Sequence, residues 1–174
     1  MTLTLVLFLS LGLPLMGVAE EVSVESIEPL ARLNQEAAQA YSSANYPIAL
    51  EKWEMGLKQA RAQNHQQYIG KFLGNLGIVY DTLGQYQQAL KHYQQALEIQ
   101  RQLGDKSGVA ADLSGLGLVS FRLGQYQQAL AYHQQALALH RELGDKHGEG
   151  ADLSNLGIVY DELGQYQHAL KSYQ

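Results

Sequence analysis

The stretch Asn75–Leu97 reads NLGIVYDTLGQYQQALKHYQQAL, and the chain says it again. Forty residues on, Gly115–Leu137 reads GLGLVSFRLGQYQQALAYHQQAL; forty further on, Asn155–Gln174 reads NLGIVYDELGQYQHALKSYQ. Set side by side, Gly70–Gln94 and Gly150–Gln174 share 19 of 25 residues. Self-similarity at a fixed period is the signature of a repeat array, in which no unit can bury its apolar face alone and each stacks on its neighbours.

Within one unit, Leu73, Leu76, Gly77, Tyr80 and Leu83 fall three or four residues apart, which is one face of an α-helix. Gly84 then offers a residue that can end the helix with positive φ and no Cβ clash. Tyr86, Ala89, Leu90, Tyr93, Ala96 and Leu97 follow at the same helical spacing. The unit is therefore predicted to be two antiparallel helices joined by a turn at Gly84-Gln85, and the fold class all-α. Gly77, Ala89 and Ala96 recur as Gly117, Ala129 and Ala136, which predicts places where two helix backbones pass closely. Leu76, Tyr80 and Tyr93 should fill the spaces between.

These residues resemble the tetratricopeptide repeat. The family's Leu-Gly, Tyr, Ala, aromatic, Ala order matches Leu76, Gly77, Tyr80, Ala89, Tyr93 and Ala96. It matches Leu116, Gly117, Ala129, His133 and Ala136 in the next copy, with Ser120 in place of the first tyrosine, and Leu156, Gly157, Tyr160, Ala169 and Tyr173 in the last. Arg101 and Arg141 stand where the family often has proline, and the period is 40, against 34 for the common form. The added residues lie in LGDKSG (Leu103–Gly108) and LGDKHG (Leu143–Gly148), a variant similar to kinesin light chain and Pins-type arrays and to bacterial, cyanobacterial-like ones. The resemblance implies an α-α solenoid, a right-handed superhelix of helix pairs.

The chain divides accordingly. Residues 30–69 read as a divergent first repeat, since Tyr46, Ala49, Leu50, Trp53 and Leu57 keep the register. Residues 70–109 and 110–149 are full repeats, and 150–174 a truncated one that should leave Ala169, Leu170 and Tyr173 partly uncovered, for self-association or for chain beyond. Residues 20–29, EEVSVESIEP, read as an acidic spacer. Residues 1–19 are uncharged and apolar and end in Gly17-Val18-Ala19, the small-residue pattern of a signal-peptidase site. They predict an exported protein, periplasmic or extracellular, or alternatively one anchored in the membrane by that segment.

Composition narrows the function. With 12 Lys and Arg against 17 Asp and Glu, a net charge of −5 and no basic cluster, nucleic acid is a poor partner. The chain has no cysteine, which removes thiolate catalysis and zinc–thiolate sites. His65, His92, His133, His140, His147 and His168 show no paired-ligand spacing. His133 sits in the aromatic slot of Tyr93 and reads as packing, while His140, Glu142 and His147 read as a solvated helix end. Asp105 and Asp145 read as N-caps. No phosphate loop, nucleophile elbow or catalytic dyad is present, so no catalytic residue, metal, cofactor or small-molecule substrate is assigned.

What remains is a surface for a protein or peptide partner. The resemblance implies that the first helix of each pair lines a concave groove that receives a peptide. Carried over, the peptide-binding positions are Asn75, Ile78 and Asp81, then Ser114, Leu118 and Phe121, then Asn155, Ile158 and Asp161. Asn75 and Asn155 fall where kinesin light chain-type arrays address a partner's backbone, and Gly115 interrupts that ladder. Phe121 reads either as a peptide contact or as a core residue exchanging roles with Ser120. The implied function is an interaction scaffold. The alternative is the N-terminal recognition arm of a larger enzyme, such as a caspase-like CHAT protease, whose catalytic domain lies outside this chain.

Overall fold

The computed structural model describes residues 24–172, which form eight helices in chain order. They are α1 (Val24–Ser42), α2 (Tyr46–Ala62), α3 (Gln66–Thr82), α4 (Tyr86–Leu103), α5 (Lys106–Arg122), α6 (Tyr126–Leu143), α7 (Lys146–Glu162) and α8 (Tyr166–Ser172). No strand occurs among the described residues, and the architecture is the α-α solenoid read from the repeats. Residues 1–19 lie outside the described residues, as does Tyr173. Of the stretch read as an acidic spacer, Val24–Pro29 belongs to α1, and residues 20–23 lie outside the described residues.

One turn is used seven times. Positive φ falls at Ala44, Asn64, Gly84, Gly104, Gly124, Gly144 and Gly164, with values from 52° to 73°. At each, two backbone N–H groups reach back into the preceding helix; Gly84 N bonds Asp81 O at 2.9 Å and Gln85 N bonds Tyr80 O at 2.8 Å. That is the Schellman arrangement, which satisfies carbonyls the helix end would otherwise leave open. Glycine takes the conformation freely at five of the seven sites; Ala44 and Asn64 take it against a Cβ clash. The next helix starts at once. Pro47 occupies its first turn in α2, where no N–H is needed. Asp105 and Asp145 cap α5 and α7 by accepting the Gly108 and Gly148 N–H, both at 3.0 Å.

The core runs along the stack as three linked clusters. Phe72, Leu73, Leu76 and Val79 of α3 pack with Trp53 and Ala60; Leu113, Leu116 and Val119 pack with Tyr93 and Leu97; Leu156 and Val159 pack with Leu130 and Leu137. The close approaches predicted at Gly77 and Gly117 are present, and side-chain rings are what lies nearest. A Cβ on Gly77 would lie 2.7 Å from the Tyr93 ring, one on Gly56 2.5 Å from Phe72, and one on Gly117 2.6 Å from His133. At the last repeat Leu170 is exposed as expected, whereas Ala169 is buried at 2% exposure, covered by its own pairing of α8 on α7.

Leu76 is fully buried, so Leu76→Ala should cost about 2–5 kcal/mol in chemical denaturation. Gly77→Leu should cost about 1–3 kcal/mol or more, because Tyr93 must leave its seat. Ala44→Gly should move the other way, gaining about 1 kcal/mol by relieving left-handed strain.

Candidate functional site

Helices α1, α3, α5 and α7 touch one another in sequence across the layers, whereas α2, α4, α6 and α8 meet only through them. The odd helices are therefore closer together and line the inner, concave side. Each presents one solvent-facing stripe at helical spacing: Lys71, Asn75, Ile78 and Thr82 on α3, Ala111, Ser114, Leu118 and Arg122 on α5, and Ala151, Asn155, Ile158 and Glu162 on α7. Every sequence-derived groove position except Asp81 and Phe121 lies on or beside this stripe.

The most informative members are apolar. Ile78 is 40% exposed and Ile158 43%, with Leu118 half-buried between them, so one branched aliphatic side chain per repeat faces solvent on the same surface. The polar members are more engaged. Asn75 Nδ2 donates to Asn34 Oδ1 at 2.9 Å, and the Trp53 indole N–H reaches the same oxygen at 3.1 Å. Asn155 is half-buried, and Ser114 Oγ donates to Asp152 Oδ1 at 2.9 Å. Asp161 is exposed at the groove's far end.

Asp81 turns inward. Its side chain is 10% exposed, and the Arg122 guanidinium approaches Oδ1 at 3.1 Å without the alignment of a hydrogen bond. Burial raises its pKa above the usual carboxylate value, and Arg122 offsets this only in part. Phe121, in the equivalent slot of the next repeat, packs on the Tyr126 ring with centroids 5.7 Å apart and joins the third core cluster, while Ser120 beside it is fully buried. Gly115 interrupts the asparagine ladder for a steric reason. A Cβ there would come within 2.5 Å of the Tyr93 ring, which spans from Gly77 on its own layer to Gly115 on the next.

Beneath the groove lies a polar network that hydropathy did not suggest. Asp152 is 0% exposed, and three donors converge on its carboxyl group: Ser114 Oγ at 2.9 Å, His133 Nδ1 at 2.9 Å and His140 Nδ1 at 2.8 Å. His140 is thus not part of a solvated helix end. It is 8% exposed, with Nε2 3.7 Å from Asp145. One period earlier the same slots hold Asp112, Gly74, Tyr93 and Gln100. Asp112 Oδ2 and Gln100 Oε1 are buried with no hydrogen-bond partner. Burial, aided by the nearby Asp105 carboxylate, pushes the Asp112 carboxyl up to about 8. The signal in the sequence was the pair of aspartates in the slot of Phe72, a residue on the buried face.

The outer side carries a further groove between α2 and α4, about 580 Å³, floored by Ile69 and Leu73 and rimmed by Arg61, Lys91 and Glu98. No cluster of three metal-ligating side chains occurs among the described residues, and no helix among them is long and apolar enough to cross a membrane.

Two family profiles, both described as tetratricopeptide repeat, match residues 70–103 and 108–174. No curated protein matches in sequence. Among solved structures the chain is similar to BtubC (BKLC) from P. vanneervenii, with TM-score 0.78 and 21% identity over 88% of this chain and 63% of that one. It is similar to the apo form of RapI, with TM-score 0.79 and 18% identity over 87% and 55% of the two chains. The TPR domain of Arabidopsis FLU gives 0.60 and 24% identity over 62% and 91%. The chain thus spans less than two thirds of the BtubC and RapI structures it resembles.

Asp152→Ala would strand two imidazoles in the core, one of them fully buried, and should cost about 3 kcal/mol or more in denaturant unfolding.

Proposed function

The chain belongs to the tetratricopeptide repeat family, a repeat scaffold for contact between proteins, and on that premise we propose that its concave face binds a peptide segment of a protein partner. The observation that carries this reading is the ladder of Ile78, Leu118 and Ile158, one aliphatic side chain per layer along the surface that the odd helices enclose. Stacked helices sit about 8–10 Å apart, so the rungs repeat at a distance that a bound segment can match with its own apolar side chains. Polar contacts at Asn155, Lys71 and the rim would set orientation. Asn75 contributes its free carbonyl, its amide being held by Asn34.

Exposed Leu170 and Tyr166, at 54% and 69%, make self-association through the last repeat a second mode of contact under the same reading. Export, directed by residues 1–19, belongs to the proposal as the place where the scaffold works. The role as recognition arm of a larger enzyme rests on the similarity of the LGDKSG and LGDKHG connections to bacterial arrays. The intact mass of the protein from its own cells separates the two: 19.2 kDa less a leader means a free-standing scaffold, and a much larger mass means an arm.

For the groove, a photo-crosslinking residue at Ile78 should capture a protein that the same residue at Lys91, on the outer side, does not. Ile78→Glu with Ile158→Glu should weaken that partner at least tenfold, about 1.4 kcal/mol, and leave the melting temperature unchanged. Equal capture at both positions, or unaltered affinity in the double variant, removes the groove assignment.

A further inference from the structure

We infer that the concave face demands a hydrogen-bond donor at Asn75, because a relay through Trp53, Asn34 and Asn75 fixes which end of the Asn75 amide meets a bound segment. Trp53 and Asn34 are then positioning residues for that contact, and the group it takes is a free N–H of a peptide partner. The contact belongs to the concave-face reading proposed above and rests on it.

The relay crosses three helices and is settled by what each group can do. The Trp53 indole of α2 carries one N–H and no acceptor, so the atom of Asn34 that faces it at 3.1 Å must be the side-chain oxygen. That same oxygen, on α1, stands 2.9 Å from the Asn75 side chain of α3, which can answer an acceptor only with its NH2. Either amide turned end for end keeps its shape, but a turned Asn34 would set N–H against N–H at the indole. Trp53 is 3% exposed within the first core cluster, with the Tyr41 ring centroid 6.0 Å from its own, so the donor that starts the relay stays where it is.

What remains of Asn75 is its carbonyl oxygen. It accepts no hydrogen bond among the described residues, and it is not one of the buried orphan atoms. It is therefore open on the stripe that carries Lys71 one turn earlier and Ile78 just after.

The later layers do not repeat this device. Gly74 and Gly115 replace the two asparagines one period on, and Tyr93 stands in the slot of Trp53 with its ring against Gly115. At the following junction Ser114 and His133 take the slots of Asn34 and Trp53, and both turn to Asp152. Asn155 makes no hydrogen bond among the described residues, so its amide is free to donate or accept. A segment lying along the groove thus meets a fixed acceptor at Asn75, an apolar stretch at Gly115 and Leu118, and an unbiased amide at Asn155. A proline at the first of these contacts brings no N–H and is rejected, because the site is built for a donor.

The test uses the whole 174-residue chain. The probes are peptides selected on it from a random display library and refused by the variant carrying Ile78→Glu with Ile158→Glu. Each backbone N–H of a selected peptide is replaced in turn by N-methyl. One replacement should weaken binding to the wild type by about tenfold, and by less than about twofold to Asn75→Ala, which has no acceptor to lose. That penalty should shrink to about threefold or less in Asn34→Ala, where the Asn75 amide is free to turn. It should return in Asn34→Asp, which keeps oxygens for both donors. Trp53→Phe, which keeps a ring and removes the indole N–H, should shrink the penalty as Asn34→Ala does. If Asn34 were merely structural, its loss would lower the melting temperature and leave the N-methyl penalty unchanged. A library that yields no peptide dependent on Ile78 removes the concave-face reading and the donor contact with it. Peptides that depend on Ile78 but show no N-methyl penalty tied to Asn75 overturn the donor contact alone. A penalty that stays at full size in Asn34→Ala and Trp53→Phe overturns the relay. The comparison of wild type with Asn75→Ala decides the contact even where another variant does not fold.

Discussion

The spacing of this solenoid depends on flat rings laid on glycine. Phe72 covers Gly56, Tyr93 covers both Gly77 and Gly115, and His133 covers Gly117, each so closely that a single Cβ would come within 2.5 to 2.7 Å of the ring. A ring on a bare backbone lets two helices approach to the distance at which Leu76, Leu116 and Leu156 interlock below. Widen one seat and the layer above it shifts, carrying its rung of the apolar ladder with it. Tyr93 shows the effect most directly, because it spans two layers and dictates that position 115 of the groove has no side chain.

Repeats that are nearly identical on their faces differ where they meet. The first junction is aromatic, with Trp53 and Phe72 over Ala60; the second holds Tyr93, Gln100 and Asp112; the third holds His133, His140 and Asp152. Equivalent backbones thus carry three chemistries. The third satisfies its buried carboxyl group with three side-chain donors, and the second leaves an equally placed one without any. Such differences give each layer a preferred neighbour, which a chain of like units needs if the layers are to stack in order.

Much of this was legible in the residues themselves. Gly84, Gly104, Gly124, Gly144 and Gly164 mark helix ends every twenty residues, and the aliphatic positions 78, 118 and 158 share one phase of the helix. Ala44 was harder, since alanine does not advertise a left-handed turn, whereas Asn64 is of a type that adopts one more readily; at both, the same pair of backbone hydrogen bonds closes the helix end. The buried network was not legible for a different reason. One polar residue on an otherwise apolar face produces no periodic signal, and the partner that makes burial tolerable lies on another helix, as His133 lies 19 residues from Asp152. Asp81 and Asp161 illustrate the limit of reading by analogy: they occupy the same slot, yet Arg122 draws one inward while the other stays exposed.

The packing of helices only against those one or two places away in the chain has a kinetic side. Among the described residues no helix waits for a distant segment, so the entropy of closing long loops is not incurred there, and folding can advance layer by layer as the polypeptide emerges. A chain delivered end first, from a ribosome or through a pore, can bury each new pair of helices on the pair already formed.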